Sequence, residues 1–106
     1  MKIYIAGKIS GDPNYEAKFK AEADNLEEQG HIVLNPATLP PGLTPEEYMK
    51  ICFAMIDAAE LVVFLPDWIN SGGAMLEHTY CGYTGKRIEH MREDTAMFDR
   101  ELKGKN

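Results

Sequence analysis

Three features of the sequence predict an α/β sandwich built on a mostly parallel sheet. The run Leu61-Val62-Val63-Phe64-Leu65 is apolar without alternation, the pattern of a strand buried on both faces. Strand-like and helix-like segments alternate along the chain, which calls for parallel strands joined by right-handed crossovers, with helices on both faces. Glycine-containing stretches, Gly7 to Gly11 and Gly72-Gly73, stand between a strand and the helix after it, at the carboxyl edge where open α/β sheets bind ligands. A chain of 106 residues is one domain, residues 1–106, with a single core.

The first strand is Lys2-Ile3-Tyr4-Ile5-Ala6. In the loop Gly7-Lys8-Ile9-Ser10-Gly11-Asp12-Pro13, the glycines permit close backbone approach or positive φ, Asp12 suits a helix cap and Pro13 a first helical position. A helix from about Pro13 to Gln29 places Tyr15, Phe19, Ala23 and Leu26 on one side, and Gly30 stops it. Its charges, Glu16, Lys18, Lys20 and Glu22, read as a solvated face. His31-Ile32-Val33-Leu34 is a short second strand. Three prolines and a glycine make Asn35 to Thr44 a loop at the carboxyl edge of that strand, close to the expected crevice.

Thr44 caps the next helix, Pro45 takes its first position, and Glu46 and Glu47 suit its dipole. Tyr48, Ile51, Cys52, Met55 and Ala59 form its expected buried face. The strand Glu60 to Leu65, a helix from about Gly72 to Thr84 and a weak edge strand, Lys86 to His90, follow. A short terminal helix packing through Met91, Phe98 and Leu102 completes the chain. Strands in the order 2-1-3-4 make a flavodoxin-like, Rossmannoid three-layer sandwich of about four strands. Its switch point, between strands one and three, brings the Gly7 to Gly11 loop beside Asp67 and Glu77.

A formal charge of −6 argues against a sequence-independent grip on nucleic acid polymers and favours a small ligand. Cys52 and Cys81 fall inside helices without metal-like spacing and read as core residues rather than a disulfide or zinc site. His31, His78 and His90 are dispersed, so no shared metal is expected. No signal peptide is visible and no run approaches membrane-spanning length, so the expected location is the cytoplasm, with no membrane partner.

Chemistry is expected beyond the third strand, where Asp67, Trp68, the Gly72-Gly73 turn and Glu77 draw two carboxylates and an aromatic face toward one pocket. Glu77 lies one to two turns into its helix, on a face with Gly73, Tyr80, Cys81 and Thr84. Near the positive end of the helix dipole it would stay ionised and could attack an electrophilic sugar carbon; the plain alternative is a solvated helix acid. Asp67 is either an acid that contacts a base or a turn residue after Pro66, and Trp68 either stacks on a base or packs. Gly7 to Gly11 is neither a triphosphate P-loop nor a dinucleotide fingerprint. It could hold one phosphate through backbone amides, Lys8 and Ser10, or it is a ligand-free turn.

On these residues the chain resembles the nucleoside 2-deoxyribosyltransferase-like superfamily, in particular its small branch described as a domain of unknown function. The resemblance runs to about Ile88 and rests on Ile3-Tyr4-Ile5-Ala6-Gly7, Met55-Ile56-Asp57-Ala58-Ala59-Glu60-Leu61-Val62-Val63, and Gly73-Ala74-Met75-Leu76-Glu77 leading to Gly85-Lys86. It implies Glu77 as nucleophile, Asp67 as the acid at the base, Tyr4 as the group orienting Glu77, and Gly7 to Gly11 as the loop receiving a 5′-phosphate. Trp68 and Gly73 join the substrate-binding set. The implied reaction is a retaining N-glycosidic displacement on a nucleoside or nucleotide, with no metal or organic cofactor and with Asp67 assisting departure of the base. Met75 and Thr79 stand where characterised members have glycine, and bulk there is expected to narrow the sugar site. Relatives commonly complete their sites from a neighbouring subunit, which leaves a homo-oligomer open. The competing reading is a non-catalytic nucleotide-binding or sensing module on the same scaffold.

Overall fold

A computed structural model describes residues 1–91. In chain order it contains β1 (Lys2–Ala6), α1 (Tyr15–Glu28), β2 (Ile32–Leu34), α2 (Pro45–Ala58), β3 (Leu61–Phe64), α3 (Gly72–Thr84) and β4 (Ile88–His90). The terminal helix expected around Phe98 and Leu102 lies outside the described residues. The four strands are parallel, in the order β2-β1-β3-β4, with Tyr4 beside Val62 and Ala6 beside Phe64.

Successive strand side chains point to opposite faces, and this sorts the core into two layers. Ile3, Ile5, Leu61, Val63 and Leu65 pack against Phe19, Ala23 and Leu26 of α1. Tyr4, Ala6, Val62 and Phe64 face the other way, against Cys52 and Ile56 of α2 and Cys81 of α3. The result is a three-layer, flavodoxin-like α/β sandwich. Among the described residues, no helix is long and apolar enough to cross a membrane.

Local differences from the sequence reading have identifiable causes. Helix α1 begins at Tyr15, and Asp12 accepts from the Asn14 backbone N–H at 2.9 Å, closing an Asx turn instead of capping the helix. Helix α2 begins as expected, with a reciprocal capping box between Thr44 and Glu47. Its buried stripe, however, runs through Cys52, Ile56 and Ala59. Ile51 is exposed, because packing onto β1 and β3 selects the 52-56-59 spacing. The segment after β3 is a 3-10 turn, Pro66–Asn70, that feeds directly into α3.

Candidate functional site

The carboxyl edge of β1 and β3 opens into a cavity of about 560 Å³, within the ~300–1,000 Å³ range of small-molecule sites. Its walls come from four places: Gly7, Ile9 and Ser10 of the loop after β1, Pro36, Ala37, Leu39 and Leu43 of the loop after β2, Pro45, Tyr48, Met49 and Cys52 of α2, and Asn70 to Ala74 with Leu76 and Glu77 around α3. Tyr15 at the start of α1 and Tyr4 from the sheet complete it. The lining is mainly apolar and aromatic with a few polar groups, the composition expected of a pocket for an organic ligand.

Helix α3 delivers Glu77. The Ser71 side chain caps the helix by accepting from Ala74 N at 3.1 Å. From there, the 3.6-residue period returns Glu77 to the face that Gly73 occupies. Glu77 is 5% exposed, and Tyr4 Oη donates to its Oε2 at 2.5 Å. Burial pushes the Glu77 carboxyl up to about 7, with hydrogen bonds from Tyr4 and Cys52 partly offsetting that rise. The expectation of an ionised group held by the helix dipole is therefore corrected. The dipole acts within the first turn, and Glu77 lies beyond it, so desolvation wins. Burial and the adjacent Glu77 hold the Tyr4 phenol well above its usual range, so Tyr4 is a neutral donor. Burial likewise pushes the Cys52 thiol up to about 11, which keeps it protonated.

Of the residues singled out in the sequence, Tyr4, Gly7, Ser10, Gly73 and Glu77 lie on this cavity, whereas Lys8, Gly11, Asp67 and Trp68 do not. Asp67 is engaged elsewhere: its Oδ1 accepts from Lys8 N at 3.1 Å, and its Oδ2 is ion-paired with Lys18 Nζ. The two carboxylates thus do not converge on one pocket. A Cβ at Gly7 would lie 2.9 Å from Leu65 Cδ1, 3.1 Å from Leu65 Cβ and 3.2 Å from Asp67 Oδ1, so any side chain there would have to displace Leu65 and crowd Asp67. Gly11 has φ +82°, a conformation that L side chains rarely adopt.

Trp68 packs instead, its ring stacked on His78 at 4.2 Å between centroids and edge-on to Phe64 at 5.6 Å. His78 and His90, read as dispersed, meet with their Nε2 atoms 2.8 Å apart. Among the described residues no group of three or more His, Cys, Asp or Glu side chains could hold a metal ion. Met75 and Thr79 are exposed and off the cavity, so the bulk expected to narrow a sugar site points away from it.

Sequence reasoning missed Lys18, read there as part of a solvated face, which is half-buried and donates to Lys8 O, Asp12 and Asp67. The available signal was its place three residues after Tyr15 and one before Phe19, on the flank of the buried stripe. It also missed the two tyrosines on the walls: Tyr15 was read only as core, and so was Tyr48, whose hydroxyl donates to Pro40 O at 2.6 Å.

No curated protein and no solved structure matches the chain. A family model does, across residues 1–90, which hold every strand and helix described above and the whole cavity. The chain therefore belongs to the family described as "Domain of unknown function (DUF4406)".

Proposed function

We propose that the protein cleaves the N-glycosidic bond of a nucleoside or nucleotide, or transfers its 2-deoxyribosyl group, through a covalent sugar on Glu77. One observation carries this reading: a carboxyl group buried on the wall of a small-molecule cavity, held by a tyrosine and titrating near neutrality. Its anion is available at physiological pH, and in that setting it lacks the hydration that would blunt attack.

In the first step a Glu77 oxygen bonds to the anomeric carbon as the carbon–nitrogen bond breaks. The base nitrogen keeps the electron pair and takes a proton from water. In the second step water or an acceptor base attacks the same carbon, the ester bond breaks, Glu77 regains its charge, and the acceptor loses a proton to solvent. Two inversions give net retention. Tyr4 fixes the carboxylate through Oε2 throughout. Tyr15 and Tyr48, which line the cavity, are assigned to a planar base, and Gly7 and Ser10 to the end that takes a 5′-phosphate. Asp67, tied to Lys18 and Lys8, supports the loop in this scheme and does not protonate the base.

The alternative, a nucleotide-binding module without turnover, is favoured by one observation: Glu77 is the sole carboxylate among the described residues lining the cavity. The discriminating experiment is a chromatographic screen of deoxynucleosides and their 5′-monophosphates, with and without acceptor base. We expect free base from the wild type and at least a ~10²-fold lower rate from Glu77→Gln, as for loss of a nucleophile. Thermal stabilisation by a nucleotide without release of base selects the binding module. No response to any of these compounds rejects both readings.

A further inference from the structure

We propose that Lys18 is a positioning residue for the cavity, its single ammonium fixing the Gly7–Asp12 loop in the shape that presents Gly7, Ile9 and Ser10 to a ligand. Lys18 Nζ donates to Lys8 O at 2.9 Å and to Asp12 Oδ2 at 2.5 Å, and it pairs with Asp67 Oδ2. An ammonium has three donors, and all three are used. The acceptors lie near the start of the loop, at its far end, and in the turn after β3. Asp67 then closes the circuit by accepting from Lys8 N at 3.1 Å. One residue of α1 therefore joins the loop to the sheet's switch point.

The loop's other contacts sit at Ile9 and Asp12: Ile9 packs against the core, Asp12 N donates to Ile9 O at 3.2 Å, and Asp12 accepts from Asn14 N at 2.9 Å and, through its carbonyl, from Tyr15 N at 3.3 Å. None of these ties Lys8 or the Asp12 side chain to the turn after β3, and Ser10 and Gly11 are exposed. An exposed ion pair would do little, but the Lys18 side chain is 26% exposed, and its aspartate partners are 21% and 28% exposed. Two carboxylates around one ammonium also leave that ammonium without a substitute, since its removal sets Asp12 and Asp67 against each other. Lys18 itself is not on the cavity, so its influence on a ligand passes through the loop.

The binding arm of the test rests on the nucleotide reading above; the loop arm does not. Lys18→Met keeps an unbranched apolar side chain of similar length and removes the ammonium, which lies 5.6 Å from the Phe19 ring centroid, and Lys18→Arg restores a cation. In ligand-free protein, measured by NMR amide exchange, we expect the Lys8 and Asp12 amides to exchange at least tenfold faster in Lys18→Met. The Tyr4 and Ile5 amides of β1 should be unchanged, and Lys18→Arg should recover most of the protection. With each of the four common deoxynucleoside 5′-monophosphates as probe, KM, or Kd in the absence of turnover, should rise about tenfold in Lys18→Met, with kcat within about twofold of wild type. Unchanged exchange at Lys8 and Asp12, or faster exchange that spreads equally to Tyr4 and Ile5, overturns the proposal. So does a loss confined to kcat. If the wild type binds none of the four nucleotides, the nucleotide reading fails, and the exchange measurement still decides the role of Lys18.

Discussion

Burial and hydrogen bonding act on Glu77 in opposite directions, and their relative size sets its chemistry. Hydrogen bonds from Tyr4 and Cys52 favour the ionised carboxyl, the helix dipole does not reach beyond its first turn, and burial of the charge outweighs the hydrogen bonds. Burial prevails, and the group rises from its ordinary 4.5 to about 7. Because native Glu77 holds its proton to higher pH than unfolded Glu77, the native state binds more protons between about pH 4.5 and 7. Its contribution to stability is thus full below about 4.5 and is lost as pH rises through about 7, a difference of about 3 kcal/mol. Urea denaturation across this window should show the wild type weakening while Glu77→Gln stays flat relative to it. A parallel decline in both proteins would mean that another group is responsible. For the wild type, kcat/KM should rise through about pH 7 as the nucleophile loses its proton. Glu77 was legible as a candidate because a glycine turn and helix period aim it at the sheet edge. Its protonation was not legible, since that depends on burial, which only the packing of α3 against β1 and α2 creates. Lys18 and Asp67 were misread for the same reason: their pairing spans 49 positions of sequence.

At the scale of elements, α2 does more for the cavity than its sequence position suggests. It brings Pro45, Tyr48, Met49 and Cys52 to the wall while anchoring itself through Cys52 and Ile56. Its start is held by the capping box, in which Glu47 N donates to Thr44 Oγ1 at 3.1 Å and Thr44 N donates to Glu47 Oε1 at 2.8 Å. Thr44→Ala should cost about 1 kcal/mol, seen as a lower urea midpoint with an unchanged slope. A midpoint equal to wild type would show that the cap contributes nothing. Cap, proline and acidic first turn were all legible in Thr44-Pro45-Glu46-Glu47, because each acts on neighbouring backbone. The buried stripe was less so, since Ile51 and Ile56 are equally apolar and only the surface they meet distinguishes them. The start of α1 was displaced because Asp12 has two competing acceptor roles, and the Asx turn with Lys18 takes it.

For the whole molecule, strand order followed from the sequence because alternating segments and an unbroken apolar β3 admit few topologies. That order has a functional result. At the switch point between β1 and β3 the loops diverge to opposite faces, and the gap between them becomes the cavity. Tyr4 reaches Glu77 because it points to the α2 and α3 side of the sheet, while Ile3 and Ile5 serve the α1 side. Fold, cavity and carboxylate thus share one geometric origin, and in the proposed reaction Glu77 forms a bond to a sugar there. Mass spectrometry after incubation with 2′-fluorinated nucleosides and nucleotides would reveal that bond, because fluorine would slow release of a covalent sugar. We expect one fluorosugar added to wild-type protein, located by peptide mapping at Glu77, and none on Glu77→Gln. An adduct on another residue, equal labelling of Glu77→Gln, or turnover of the natural substrate at wild-type rate by that variant would contradict it.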